Sequence, residues 1–307
     1  MTTAGDLGAM AQVKPKPKLA EILLTASKKA IGGGIAGALA MVVQVAALMW
    51  MRTTINYQHS KGTGTLEAMA ALYAEGGIAR FYQGWLAALL QAPLSRFGDT
   101  AANAGMLALL EDMKAMPAGL KTLCASIAAA LFRIAITPID TLKTTLQVRG
   151  PSGVELLRQR VQSEGILTLY SGAIGTSVAT LMGHYPWFVT YNFLQAKVPA
   201  ATGLKRQLRS AIIGFFSSLV SDVFSNSVRV VKTAKQTADT DVGYLATASK
   251  IIAEDGINGL FLRGLSTKIL SNGLQAMLFT ICWRYFEEKI NAYQKRKAAA
   301  EAQSKKD

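Results

Sequence analysis

The chain has 307 residues, of which 50% are hydrophobic and 17% are charged. An ordinary soluble domain is about 25% charged, so this composition excludes a disordered chain and argues against a small soluble module. The 33 basic and 19 acidic residues leave a net charge of +14, which favours anionic lipids, anionic solutes or nucleic acid as partners.

Six apolar segments follow a polar start of the chain. Residues 1–24 are polar and basic, and they are expected to form a solvated tail. The longest uncharged stretch, residues 30–51, is long enough to span a bilayer core of about 30 Å. Isolated charges in the other segments are expected to face a bundle interior or a wet cavity. The candidate spans lie near residues 28–57, 84–113, 120–148, 171–197, 207–238 and 264–291. A large soluble helical protein is the alternative interpretation.

Three short patterns recur along the chain with a period near 90 residues. A base followed by small residues occurs at Arg52, Lys143 and Lys232, which are spaced by 91 and 89 residues. An acid–glycine pair follows each base, and a second glycine opens the next apolar span. These glycines are Gly77, Gly84, Gly165, Gly172, Gly256 and Gly264. Because a fixed period indicates equivalent structural units, we divide the chain into repeats 25–116, 117–203 and 204–291, flanked by basic tails at 1–24 and 292–307.

Each repeat also contains a short amphipathic segment between its two spans. Apolar residues recur at helical spacing in residues 66–73, 154–161 and 245–252. Each segment ends near an acid–glycine pair, and glycine suits the C-terminal cap of a helix. The sequence therefore predicts an all-α membrane protein with six transmembrane helices in three pseudo-threefold repeats and three short amphipathic helices.

At this point the sequence resembles the mitochondrial carrier family. The second repeat has the family motif almost complete, as Pro138, Asp140, Lys143, Gln147, Glu164, Gly165, Tyr170 and Gly172. The resemblance covers residues 25–291 and implies six membrane helices around a central water-filled cavity. It also implies that the short helices lie on the matrix side and both termini on the intermembrane-space side.

The resemblance implies a matrix-side gate of acid–base pairs on the odd-numbered spans, each bent at a proline. The candidate gate residues are Arg52, Pro138, Asp140, Lys143, Arg229 and Lys232. Repeat 1 has Ala47 and Met49 in the proline and acid places, and repeat 3 has Ser227 and Arg229. Because four bases then face one acid, we expect that this ring does not close by pairing with itself. The alternatives are a compensating acid or anion, closure by packing, or a gate that is not used.

A second gate, on the opposite side, is implied by the family pattern on the even-numbered spans. The residues in its places are Tyr191, Asn192, Gln195, Arg284 and Glu287. The second repeat is neutral at these places, and the third has its charge signs reversed. We therefore expect this gate to be weak.

Positions that break the threefold symmetry are candidates for contact with an asymmetric solute. Arg133 and Asp222 lie two helical turns before the acid place, so both are expected to face the cavity. Further polar candidates are Gln91, Arg96, Asp99, His184 and Asn272. The alternative is that Arg133 pairs with Asp222 and Arg96 with Asp99. An arginine fork suits carboxylate or phosphate, which favours a small anionic or zwitterionic solute.

The acid–glycine and aromatic–x–glycine elements of each repeat offer helix starts at which an anionic lipid could bind. Helix N-termini with free amides attract phosphate, and the resemblance implies cardiolipin contacts at Gly77, Gly84, Gly165, Gly172, Gly256 and Gly264. The basic residues gather at span ends and tails, a distribution that suits anionic headgroups. It does not give the basic face with exposed aromatics that nucleic acid binding needs.

Two interpretations of function remain open from the sequence. Two cysteines and two histidines provide no disulfide framework or metal site, and we predict no cofactor, no metal and no enzyme. The first interpretation is a solute carrier of the mitochondrial inner membrane that works by alternating access. The second is a transport-inactive carrier-fold protein that serves as a structural or interaction subunit of a larger inner-membrane complex.

Overall fold

The computed structural model describes residues 34–110, 113 and 115–304, and this part of the chain is built almost entirely of helices. The helices are α1 (Gly34–Lys61), α2 (Thr65–Phe81), α3 (Trp85–Leu109), α4 (Ala118–Ala135), α5 (Thr137–Arg149), α6 (Ser152–Glu164), a 3-10 helix (Ile166–Tyr170), α7 (Ala173–Lys197), α8 (Gly203–Gln236), α9 (Tyr244–Leu262) and α10 (Leu265–Ser304). The predicted tail at 1–24 lies outside the described residues.

The long helices coincide with the six predicted spans. Within the described residues, the segments Leu39–Lys61, Ile166–Lys197 and Leu208–Gln236 are each long and apolar enough to cross a membrane, and α4 with α5 forms a fourth such span that is bent. Large apolar side chains remain exposed on these helices, for example Leu131, Phe193 and Leu270. Many exposed apolar side chains on long helices are expected where the helices meet lipid or another protein.

The long helices form a closed ring. Helix α1 packs against α3, α3 against α4, α4 against α7, α7 against α8, α8 against α10, and α10 against α1. Helix α5 also contacts both α1 and α8, and α1 contacts α8. The odd-numbered spans therefore meet at one end of the ring. We call this end, formed by α5 and the C-terminal halves of α1 and α8, the closed end.

One of the three odd-numbered spans is sharply bent. Helices α4 and α5 meet at an angle of 68°, and Pro138 lies in the first turn of α5. Proline has no backbone N–H and clashes with the preceding turn, so a straight helix is disfavoured there. Helices α1 and α8 have Ala47 and Ser227 in the equivalent places and continue through them without a break.

The short helices α2, α6 and α9 occupy the predicted amphipathic segments. Gly165 follows α6 with φ +83°, and Gly77 interrupts α2 with φ +62°. Glycine adopts this left-handed region without the Cβ penalty of other residues. The acid–glycine pairs therefore end the amphipathic segments, as the spacing predicts.

A buried arginine joins the first repeat to the second. Arg80 is 3% exposed, and its Nε donates to Glu75 Oε2 at 2.7 Å. Its terminal nitrogens donate to the carbonyl oxygens of Gln147 at 2.9 Å and Val148 at 2.7 Å. Carbonyls at the end of a helix have no partner within that helix, so Arg80 satisfies the end of α5 from a neighbouring repeat.

A tyrosine attaches α9 to the start of α7 in a similar way. The Tyr244 hydroxyl donates to the Ser171 carbonyl oxygen at 2.8 Å and accepts from the Gly175 amide at 3.0 Å. Burial raises the pKa of Tyr244, so the phenol keeps the proton that it donates. The third repeat is thereby tied to the second.

Candidate functional site

A cavity of about 290 Å³ lies inside the ring of helices. The cationic residues that line it are Arg52, Arg133, Lys143, Arg229, Lys232 and Lys268. Among the described lining residues there is one acid, Asp140. The cavity is therefore strongly basic, and its electrostatic potential favours anions.

Asp140 forms an ion pair between two repeats. It is 5% exposed, and its Oδ1 lies 2.8 Å from the Nζ of Lys143 on the same helix. Its Oδ2 pairs with the Nζ of Lys232 on α8. One carboxylate offers two oxygens and holds an ammonium group on each, so the one acid of the predicted ring pairs with two of its four bases.

The other two interfaces of the predicted gate have no such pair. Met49, in the acid place of the first repeat, is fully buried and packs with Val45, Ala88 and Ala92. Arg229, in the acid place of the third repeat, donates from Nε to Ser225 Oγ at 3.3 Å. The degenerate positions have become an apolar contact and an additional cation.

Further polar contacts hold the rest of the closed end together. Asn56 Nδ2 donates to Gln147 Oε1 at 2.6 Å, which joins α1 to α5. The hydroxyls of Ser60 and Thr237 are 2.8 Å apart, and Arg149 Nε donates to the Thr237 carbonyl at 2.9 Å. The closed end is thus secured by packing, by hydrogen bonds, by the buried Asp140 bridge and by an exposed ion pair between Arg149 and Asp239.

The charged solute-site candidates are paired, but with partners that the sequence did not indicate. Arg133 Nη2 lies 2.6 Å from Asp99 Oδ2, and Arg133 Nε lies 3.3 Å from Asp99 Oδ1. Asp222 pairs with Lys268 at 3.0 Å and accepts from Asn272. The alternative pairing of Arg133 with Asp222 is therefore wrong. The side chain of Arg96, and with it the predicted pairing of Arg96 with Asp99, lies outside the described part of the structure.

Two neutral candidates line the cavity as well. Gln91 Oε1 accepts from Lys143 Nζ at 3.3 Å, and Gln91 Nε2 donates to Ser95 Oγ at 3.1 Å. His184 also lines the cavity, with the edge of its ring against Phe188 at a centroid distance of 6.4 Å. The structure therefore brings Gln91, Arg133, His184 and Asn272 to one cavity, with Asp99 and Asp222 bound to its lining residues.

Sequence reasoning missed two lining residues of α10. Lys268 is the partner of Asp222, and Gln275 Oε1 accepts from Arg52 Nε at 3.1 Å. The symmetry argument would have found Lys268, because the equivalent places in the other repeats are Ala88 and Thr176. Because only the third repeat has a cation at this place, the position breaks the threefold symmetry and would have been a solute-site candidate.

At the opposite end of the ring the described polar contacts involve a residue that the family pattern does not include. Gln195 Nε2 lies 2.9 Å from the hydroxyl of Tyr191. Arg209 Nη2 donates to the carbonyl oxygens of Gln195 and Val198, each at 2.8 Å. Asn192 is exposed. The side chains of the remaining candidates in this gate, Arg284 and Glu287, lie outside the description.

The six predicted lipid glycines divide into two groups. A Cβ at Gly84 would lie 3.1 Å from the Lys143 carbonyl, and a Cβ at Gly264 would lie 3.0 Å from the His59 ring. A Cβ at Gly172 would overlap Gln236. These three glycines let the start of an even-numbered span approach an odd-numbered one. Gly77, Gly165 and Gly256 instead have open space where a Cβ would point.

Comparison with known proteins gives matches in all three repeats. Residues 23–116, 114–200 and 205–294 each match the family described as mitochondrial carrier protein. The chain is 27% identical to the mitoferrin of Dictyostelium discoideum over 44% of this chain and 46% of that protein. It is 30% identical to the mitochondrial glycine transporter of Rattus norvegicus over 52% of each chain. It is 25% identical to the protein MITOFERRINLIKE 1, chloroplastic, of Arabidopsis thaliana over 91% of this chain and 73% of that protein.

The first two of these alignments span about half the length of the relatives, whereas the family match covers nearly the whole chain. The three matched stretches agree with the ring of helices and with the recurrence of the motifs. The chain therefore belongs to the mitochondrial carrier family, whose six-helix, three-repeat members are membrane transporters and not enzymes.

Proposed function

We propose that this protein is a carrier of the mitochondrial inner membrane that moves a small anionic or zwitterionic metabolite. The observation that carries the proposal is the basic cavity inside the helix ring, which six cationic side chains line. Guanidinium and ammonium groups bind carboxylate and phosphate through charge-assisted hydrogen bonds. Acidic and amide side chains at Asp99, Asp222 and Asn272 supply acceptors and donors for the rest of a polar solute.

The solute site in this proposal is the pair Arg133 and Asp99 with the facing group Asp222, Lys268 and Asn272. A solute carboxylate or phosphate would compete with Asp99 for the fork of Arg133. A solute ammonium, if present, would compete with Lys268 for Asp222. Because each new contact replaces one that two side chains already make with each other, solute binding would open one internal pair for each contact that it forms.

Alternating access is the mechanism that we propose for this site. The odd-numbered spans meet at the closed end, where Asp140 links Lys143 to Lys232. Transport requires these contacts to break so that the cavity opens on that side, while the contacts of Arg209 near Gln195 form or break on the other. The residues proposed for the first gate are Arg52, Pro138, Asp140, Lys143, Arg229 and Lys232.

Uptake of radiolabelled solutes into liposomes that contain the purified protein tests the proposal. The panel would include dicarboxylates, organic phosphates and amino acids. We expect saturable uptake of one class, reduced about tenfold or more in R133A, because a hydrogen bond to a charged group contributes about 1.5–3 kcal/mol. The matched control is R158A, since Arg158 is exposed on α6. Uptake that is equal in R133A and R158A would contradict the assignment of the site.

Cardiolipin binding at Gly77, Gly165 and Gly256 is part of the same proposal. Open space beside these glycines leaves their backbone accessible, and free amides at helix starts suit a phosphate group. Gly84, Gly172 and Gly264 are supported less directly, since close helix contacts already account for glycine there. Vesicles with and without cardiolipin provide the comparison in the transport assay.

The degenerate gate favours a second candidate function, a transport-inactive subunit of an inner-membrane complex. Met49 fills the acid place of the first repeat with buried apolar surface, and Arg229 reverses the charge in the third. A protein released from the need to open and close would tolerate both changes. Failure of the entire solute panel, together with stable copurification of a partner complex, would favour this candidate.

A further inference from the structure

Two cavity cations contact neutral groups where the other four contact carboxylates. Arg133 pairs with Asp99, Lys268 with Asp222, and both Lys143 and Lys232 with Asp140. Arg52 instead donates from two nitrogens to the same amide oxygen, that of Gln275. Arg229 donates to a hydroxyl of Ser225 at 3.3 Å. Among the described residues, neither guanidinium contacts a carboxylate.

The repeat symmetry places these two arginines at one helix interface. Asp140 on α5 pairs with Lys232 on α8. One repeat further on, the place of Asp140 is taken by Arg229 on α8, and the place of Lys232 is taken by Arg52 on α1. Helices α8 and α1 are in contact, and both arginines line the cavity. Two positive groups therefore occupy the interface where the neighbouring repeat has an ion pair.

No described carboxylate contacts either arginine at this interface, because Asp222, two helical turns before Arg229 on α8, is held by Lys268 and Asn272. Guanidinium groups stay protonated in proteins, so both arginines keep their positive charge in the cavity that they line. Each arginine has a planar fork that matches a carboxylate or phosphate. An oxyanion between two such forks would form charge-assisted hydrogen bonds to both and would replace the carboxylate that the third repeat has lost.

We propose that the cavity holds an oxyanion, a phosphate or a carboxylate group, between Arg52 and Arg229, and that this anion bridges α1 to α8. The bridge would be equivalent to the one that Asp140 makes between α5 and α8. Stability of the closed end would then depend on anion concentration, a property that a self-contained acid–base pair does not have. The inference does not depend on transport, because a transport-inactive protein would bind the same anion.

Thermal unfolding of the purified protein in detergent tests this proposal. The probes are sodium phosphate, sodium pyrophosphate and sodium succinate, each compared with sodium chloride at equal ionic strength. We expect the Tm of the wild type to rise with oxyanion concentration and to saturate, because the ligand binds the folded state. The phosphate and succinate arms distinguish a phosphate site from a carboxylate site. A wild-type Tm that responds to all three oxyanions no more than to chloride would overturn the proposal.

Charge reversal at Arg229 gives the sharper comparison. In R229D the introduced carboxylate would face Arg52, so we expect a Tm above that of the wild type in chloride and no further rise with oxyanion. R229Q removes one fork without adding an acid, and it should lower the apparent affinity about tenfold or more. R158D on the exposed face of α6 is the control with the same charge change, and its oxyanion response should match that of the wild type.

The outcomes for Arg229 also separate this proposal from the transport proposal. Wild-type oxyanion responses in both R229D and R229Q would overturn the anion site, even if liposome uptake is intact. An oxyanion shift that is lost in both variants would support it, even if no solute of the panel is transported. Loss of uptake in R133A with an unchanged oxyanion shift would assign the two events to different parts of the cavity.

Discussion

Replacement of Asp140 by asparagine should destabilise the closed end strongly. Asp140 is 5% exposed and its two oxygens hold Lys143 and Lys232. Asn keeps the shape of the side chain but leaves two ammonium groups near each other without a counter-charge. Loss of one partner from a buried ion pair costs about 3–5 kcal/mol, which for a chain of this size lowers Tm by on the order of 10 °C.

The measurement is thermal unfolding of D140N and of a control with the same substitution at an exposed pair. Asp239 is 76% exposed and pairs with Arg149 at 2.9 Å. Exposed pairs contribute about 0–1 kcal/mol, so D239N should melt within a few degrees of the wild type. The variant K232M and the double variant D140N/K232M complete a cycle, in which we expect an interaction energy of about 1–3 kcal/mol.

Equal melting of D140N and D239N would refute the reasoning. It would mean that water reaches Asp140 and screens both lysines. An interaction energy near zero between Asp140 and Lys232 would show that the bridge between repeats contributes nothing, and that packing and the other polar contacts secure this end of the ring.

Two further substitutions test the contacts that hold the short helices. R80M should lower the free energy of unfolding by about 3 kcal/mol, because a buried charged donor to a carboxylate and two carbonyls is lost. R158M, on the exposed face of α6, should change it by less than about 0.5 kcal/mol. Similar losses in both variants would contradict the role of Arg80 at the end of α5. G165A should cost about 1–2 kcal/mol in the same unfolding assay, because the position has φ +83°, whereas G214A within α8 should be neutral or stabilise by about 0.5–1 kcal/mol. A neutral G165A would show that the backbone relaxes there.

The sequence predicts the helices well and their partners poorly. The period of the apolar residues places each span and each short helix, because burial of one face is a local pattern. Arg133 lines the cavity, but periodicity does not say which neighbouring helix a long side chain reaches. Arg133 contacts Asp99 on the adjacent α3, and Asp222 is occupied by Lys268. Those pairings depend on helix rotation and distance, which only the packed ring determines.

The Asp140 bridge is a second example of side-chain partners that the sequence does not predict. A count of charges indicated an unbalanced ring, and the count was correct. A count of charges does not reveal that one carboxylate can bind two lysines from different helices, as Asp140 does. Gln275 was missed for a related reason. A neutral amide does not stand out among the apolar residues of a span, although two nitrogens of Arg52 donate to it.

The difference between the bent span and the two straight ones has a mechanical consequence. A helix interrupted at proline yields more readily at that point than a continuous hydrogen-bonded one. Since α4 and α5 carry such an interruption and α1 and α8 do not, we expect deformation of the ring to concentrate in the middle third. Opening and closing would then be an asymmetric motion, in which α4 and α5 bend while α1 and α8 stay rigid, rather than an equal motion of all three repeats.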